Sequence, residues 1–194
     1  MVKLLFGVFA AVFLVLGLMA VGLSTSLIGG GAPSPDAQQD IPPQLLPVYQ
    51  TAADSCPGLP WSVLAAIGKV ETNHGRLQAP GVTSGANFAG AAGPMQIGIG
   101  GKAGNTFGAY AVDGDGDGIS NVYNPADAIF TAASYLCRNG GGKGGDLSRA
   151  VFAYNHANWY VTKVLAIAST YEAATPAPLG GGPATPPNHG VAAS

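Results

Sequence analysis

Apolar and polar positions alternate with a helical period over most of the interior of this chain. Leu45, Leu46, Tyr49, Ala52 and Ala53 form one stripe at helical spacing. A second helix is predicted from Pro60, where a proline at a helix start costs no hydrogen bond. Its stripe is Leu64, Ile67, Gly68 and Glu71, at i, i+3, i+4 and i+7. A third helix opens at Asn124-Pro125 with Asn124 as N-cap. It carries Ala126, Ile129, Phe130, Ala133 and Cys137 on one face, and Gly140 ends it. A fourth begins near Asp146 with Leu147, Ala150, Val151 and Tyr154 facing inward. A fifth begins near Asn158 with Val161, Val164, Leu165, Ala168 and Tyr171. Between Arg76 and Tyr123 the chain is glycine-rich and loses its period. Loops of that length inside compact domains are usually functional or disordered.

The ends read differently. Lys3 precedes an uncharged run from Leu4 to Leu23, long enough to span a bilayer core. This predicts residues 1–28 as a signal anchor, or a signal peptide cleaved near Ala20-Val21-Gly22, with the rest of the chain exported. Residues 29–43, with three glycines and four prolines, read as a flexible linker. Residues 174–194, rich in Pro, Gly and Ala, read as a disordered tail. The expected domain is therefore 44–173. It is all-α with one long irregular insert, preceded by an N-terminal transmembrane helix.

Charge narrows the partners. The formal net charge is −2 and the eight Lys and Arg are scattered, which argues against nucleic acid. Cys56 and Cys137 are the only cysteines. Export and an even count suggest one disulfide, closing a loop of about 80 residues; two buried thiols are the alternative. Cys137 lies on the apolar face of its helix.

Glu71 interrupts an apolar stripe near the end of its helix. Burial and the helix dipole both disfavour its charge, so its pKa should rise, as general-acid chemistry requires. The alternative is a Glu that reaches solvent or pairs with Lys69 or Arg76. His74 and His156 lack triad or metal partners and read as cleft-edge or surface residues. Trp61 and Trp159 read as core or surface aromatics. Asp113, Asp115, Asp117 and Gly118 occupy positions 1, 3, 5 and 6 of a calcium loop. The twelfth position is Asn124 rather than Glu, so both a calcium site ordering the insert and a solvated turn stand open. No other metal or cofactor is expected.

Three segments can line one cleft: Val70-Glu71-Thr72-Asn73-His74-Gly75-Arg76, Gly90-Ala91-Ala92-Gly93-Pro94-Met95-Gln96-Ile97 and Ala153-Tyr154-Asn155-His156. In this order and spacing they resemble the soluble lytic transglycosylases, a family of lysozyme-like domains that cut peptidoglycan glycan strands. The resemblance covers about 44–173. It implies a lysozyme-like fold, Glu71 as catalytic acid/base, and Thr72, Met95, Gln96, Tyr154 and Asn155 as substrate contacts. Thr72 stands where Ser is commoner. The resemblance also implies non-hydrolytic cleavage of the MurNAc–GlcNAc bond to 1,6-anhydro ends. A hydrolytic muramidase, a non-catalytic wall-binding module and an accessory to a secretion or conjugation machine are the other readings. The chain has only two glutamates, Glu71 and Glu172, and no Asp in the three segments. A two-carboxylate hydrolysis therefore lacks an evident second acid.

Overall fold

The computed structural model describes residues 31–173. The predicted membrane segment Leu4–Leu23 and the predicted tail 174–194 lie outside the described residues. Among those described, no helix is long and apolar enough to cross a membrane.

Helix α3 (Trp61–Thr72) is the spine of the domain. Every side chain from Trp61 to Gly68 is buried, because neighbours cover it on all sides. Helices α2 (Leu46–Asp54), α5 (Pro125–Leu136) and α7 (Asn158–Tyr171) pack against it. Helix α6 (Leu147–Asn155) packs on α5 and α7. The N-caps follow the sequence signals. Asn124 accepts from the Ala126 amide, and Asp146 from the Arg149 amide. Gly68 is required by packing: a Cβ there would lie 2.2 Å from the Tyr49 hydroxyl. Gly140 (φ 93) ends the α5 extension in a π turn over Cys137–Gly141.

Cys56 and Cys137 form a disulfide, with their Cα atoms 5.7 Å apart. It ties the end of α2 to the end of α5, as expected.

The segment predicted as a flexible linker is a correction. Helix α1 (Pro35–Asp40) lies within it. Ser34 caps α1 by accepting from the Ala37 amide, and its own amide donates to the Tyr171 carbonyl. Ala37 and Ile41 are buried in the core. Pro33 bridges Glu172 in antiparallel fashion, so the two ends of the described chain pair. The four prolines concealed this, because Pro35 falls in the first turn of α1, where it is tolerated.

The insert is less irregular than its composition suggests. Strands β1 (Ala91–Ala92) and β2 (Ile97–Gly98) pair antiparallel, Ala91 opposite Gly98 and Ala92 opposite Ile97. Helix α4 (Thr106–Tyr110) follows, capped by Asn105. Both elements are too short to show a period.

Candidate active site

Glu71 lies one residue before the end of α3, where Asn73 (φ 53) turns left-handed and the His74 amide closes on the Gly68 carbonyl. This places the carboxyl on the wall of a cleft of about 440 Å³. The segment from Asn87 through the β1–β2 hairpin, the turn before α4, one face of α5 and the end of α6 form the remaining walls. The Tyr160 hydroxyl donates to Glu71 Oε1 at 2.6 Å. Burial pushes the Glu71 pKa up to about 7, against the pull of that hydrogen bond. Burial, and then the nearby Glu71 charge, push the Tyr160 pKa upward too, so it stays a phenol and a donor. The cations that could have paired with Glu71 are engaged elsewhere. Lys69 and Arg76 both reach Asp40, at 2.6 and 3.4 Å.

The loop facing Glu71 is held by backbone geometry. Gly93 (φ 76) packs so closely that a Cβ would lie 1.9 Å from the Val122 carbonyl oxygen. Gln96 takes a left-handed conformation (φ 48) and turns its side chain into the cleft. Its Oε1 accepts from Asn87 Nδ2, and its Nε2 donates to the Gly93 carbonyl, both at 2.9 Å. Asn87 is itself fixed, since its Oδ1 accepts from the Ala89 and Ala91 amides. Tyr154 and Asn155 also line the cleft. The Tyr154 hydroxyl donates to the Met95 carbonyl at 2.8 Å, and its ring stacks parallel to Tyr160.

Two residues expected to touch substrate do not line the cleft. Met95 is fully buried and packs beside Gly68 under the loop. Thr72 is buried as well. Its hydroxyl donates to the Pro94 carbonyl at 2.5 Å and accepts from the Gly75 amide at 2.7 Å. With its donor and acceptor both used, it fastens the end of α3 to the facing loop rather than bonding the Glu71 carboxyl.

His74 is a further correction. It is buried behind Glu71, with Nδ1 3.0 Å from the Tyr49 hydroxyl and Nε2 3.4 Å from the Tyr171 hydroxyl. Burial lowers its pKa to about 4, despite Asp40 nearby, so it is neutral at physiological pH. Burial alone would raise the Asp40 pKa. Hydrogen bonds from Lys69 and Tyr171 outweigh it and hold the carboxyl below its usual range. His156 does lie on the cleft, at the left-handed end of α6. Trp61 is buried and Trp159 exposed.

Glu172 accepts from Ser62 at the opposite end of α3, 2.7 Å away. Nine residues of helix, about 14 Å, separate Ser62 from Glu71. Among the described residues lining the cleft, Glu71 is the one acid.

The acidic run lies outside this cleft. Asp113, Asp115 and Asp127 bring carboxylate oxygens within 4.8 Å of one another, the oxygen-donor class that calcium takes. Asp127 of α5 replaces Asp117 in this cluster. Asp117 Oδ1 instead accepts from the Ile119 amide. The cluster is already engaged with the chain. Asp113 accepts from the amides of Gly116 and Gly118, and buried Asp127 from those of Gly114 and Asn121.

Sequence reasoning missed Tyr160 and Asn87. The inward stripe of α7 is Tyr160, Val164, Ala168 and Tyr171. The predicted stripe shares Val164, Ala168 and Tyr171 with it but begins at Val161, three residues before Val164, and so leaves out Tyr160, four before. Asn87 gave no signal, because its role depends on a turn formed by residues beyond it.

The comparisons agree with this geometry. The family model described as Transglycosylase SLT domain matches residues 49–175. Among solved structures, the fold is similar to the Escherichia coli lytic transglycosylase Slt35 bound to bulgecin A. That match has a TM-score of 0.57 at 17% identity over 69% of this chain and 76% of that one. It is also similar to lytic transglycosylase SltB1 from Pseudomonas aeruginosa, with a TM-score of 0.56 at 17% identity over 70% and 75%. No curated protein sequence matches the chain. The three sequence motifs converge on one cleft, and the family model spans most of the described domain. The chain belongs to the Transglycosylase SLT domain family and is a peptidoglycan lytic transglycosylase.

Proposed function

We propose that this enzyme cleaves the MurNAc–GlcNAc bond without water, leaving 1,6-anhydro-MurNAc ends, and that Glu71 serves first as acid and then as base. One observation carries the reading. The single acid among the described residues lining the cleft has its pKa raised to about 7 by burial, so it can both give and take a proton near neutrality.

In the first step the Glu71 proton passes to the glycosidic oxygen as the bond to the anomeric carbon breaks. The 2-acetamido oxygen of MurNAc occupies that carbon in its place. In the second step the Glu71 carboxylate takes the proton of the sugar's own 6-hydroxyl. The 6-oxygen displaces the acetamido oxygen and closes the anhydro ring. Glu71 ends protonated, as it began. Tyr160 holds Oε1, which orients the carboxyl and leaves Oε2 for the transfer. Gln96 and Asn155 offer amide groups to the sugars from opposite walls. A hydrolytic course would call for a second carboxylate to activate water, and the described cleft residues supply none. An exported setting, carried by the Leu4–Leu23 run, suits both this substrate and the disulfide.

The test is mass spectrometry of peptidoglycan digested by the protein. Anhydro ends that disappear in Glu71→Gln support the reading. Reducing ends, one water heavier, would overturn it.

A further inference from the structure

Phe88 is 98% exposed, the most exposed large apolar side chain among the described residues, and it stands on the cleft rather than on a remote surface. Nothing in the fold requires an aromatic there. Lys102 lines the same cleft and is exposed. It is the one Lys or Arg among the described lining residues, and it makes no ion pair among them. The two stand on adjoining stretches of one lip. The Ala103 amide donates to the Ala89 carbonyl at 2.8 Å, joining the residue after Lys102 to the residue after Phe88. An unpaired cation beside an unpacked aromatic, on the rim of a substrate cleft, matches a ligand that is anionic and partly apolar.

The glycan itself does not answer that description, because its N-acetylated sugars are neutral. The charge of peptidoglycan lies on the short peptide attached to the muramoyl lactyl ether, which carries free carboxylates. That peptide projects from the strand, so a strand seated in the cleft would present it to the rim and not to the buried wall where Glu71 lies. We propose that Lys102 and Phe88 form a subsite for the acidic peptide stem, Lys102 pairing with a stem carboxylate and Phe88 covering the stem's apolar atoms. The enzyme then prefers stem-bearing strands. This inference depends on the reading of the cleft as the glycan site.

The test compares kcat/KM on stem-bearing strands with that on strands stripped by an amidase, for the wild type and for Lys102→Ala, Lys102→Arg, Lys102→Glu and Phe88→Ala. The wild type is expected to favour stem-bearing strands. Lys102→Ala should cut that preference about threefold and Lys102→Glu about tenfold, through KM rather than kcat, as for an exposed ion pair lost and then reversed. Lys102→Arg should keep it. Phe88→Ala should raise KM on stem-bearing strands more than on stripped ones. Added salt should shrink the wild-type preference and leave that of Lys102→Ala almost unchanged. Equal losses on both substrates would overturn the proposal. They would place Lys102 against the sugars or against the lactyl carboxylate that the amidase exposes. No loss on either would overturn it too. Failure of the underlying reading looks different: the wild type itself would release no anhydro products from either substrate.

Discussion

Replacing Glu71 by Gln should abolish activity and make the protein more stable, but only at neutral and alkaline pH. Burial raises the carboxyl pKa from 4.5 to about 7. The folded state therefore binds the proton more tightly than the unfolded state does. Below about pH 4.5 both states are protonated and the residue is neutral at no cost. As pH rises through the interval to about 7, the unfolded chain loses its proton first, and folding stability falls. Above that interval the full difference applies. At about 1.4 kcal/mol per unit of pKa it comes to roughly 3.4 kcal/mol, and about 2 kcal/mol is expected because the carboxyl opens onto a wet cleft. Gln is neutral at every pH, nearly isosteric, and still accepts the Tyr160 hydrogen bond through its carbonyl. Thermal melts at pH 4 and pH 8 read the effect. For a domain of this size, about 2 kcal/mol corresponds to a gain of roughly 4–8 °C in Tm at pH 8, with little change at pH 4. A variant no more stable than wild type at pH 8, or one stabilised equally at both pH values, would refute the argument. The acid would then be ordinary and the proposed chemistry would lose its basis.

Other perturbations probe the parts around that acid. The Tyr160 hydrogen bond lowers the Glu71 pKa, so Tyr160→Phe should move the alkaline limb of the pH–rate profile to higher pH; an unmoved limb would count against the contact. Thr72→Ala should lower Tm by leaving the Pro94 carbonyl and Gly75 amide without their partner, about 1–3 kcal/mol, whereas Thr72→Ser should restore most of it. Asp127→Ala removes the acceptor of two loop amides from a buried position and should cost about 2–3 kcal/mol in denaturant unfolding. Replacing both cysteines by Ser should cost about 4 kcal/mol, read by the same unfolding, through the freedom regained by the unfolded chain.

The large elements were legible because each satisfies its rules locally. Asn124 and Asp146 announce their helices, the stripe of α5 carries Cys137 to its partner, and Glu71 stands out as an acid on an apolar face. What stayed hidden depends on contacts distant in sequence. Thr72 and Met95 belong to family motifs, and a motif does not tell which members touch substrate and which hold the others in place. Their full burial does. Similarly, His74 resembles a surface residue until α1, α2 and α7 close over it with Asp40, Tyr49 and Tyr171. Helix α1 escaped notice because its six residues are too few for a period and its flanking prolines suggest a spacer. Tyr160 was missed because the stripe of α7 can start at either i−3 or i−4 from Val164, a choice that the need for a partner to a buried acid would have settled. A carboxyl carried inward calls for a donor, and a tyrosine on a facing helix is a natural one.

The central claim is that one buried carboxyl performs both proton transfers. Its most direct test is mass spectrometry of the products formed from purified peptidoglycan by the wild type and by Glu71→Gln. The account predicts 1,6-anhydro-muramoyl ends from the wild type and none from the variant. Reducing ends from the wild type, or anhydro ends persisting in the variant, would contradict it.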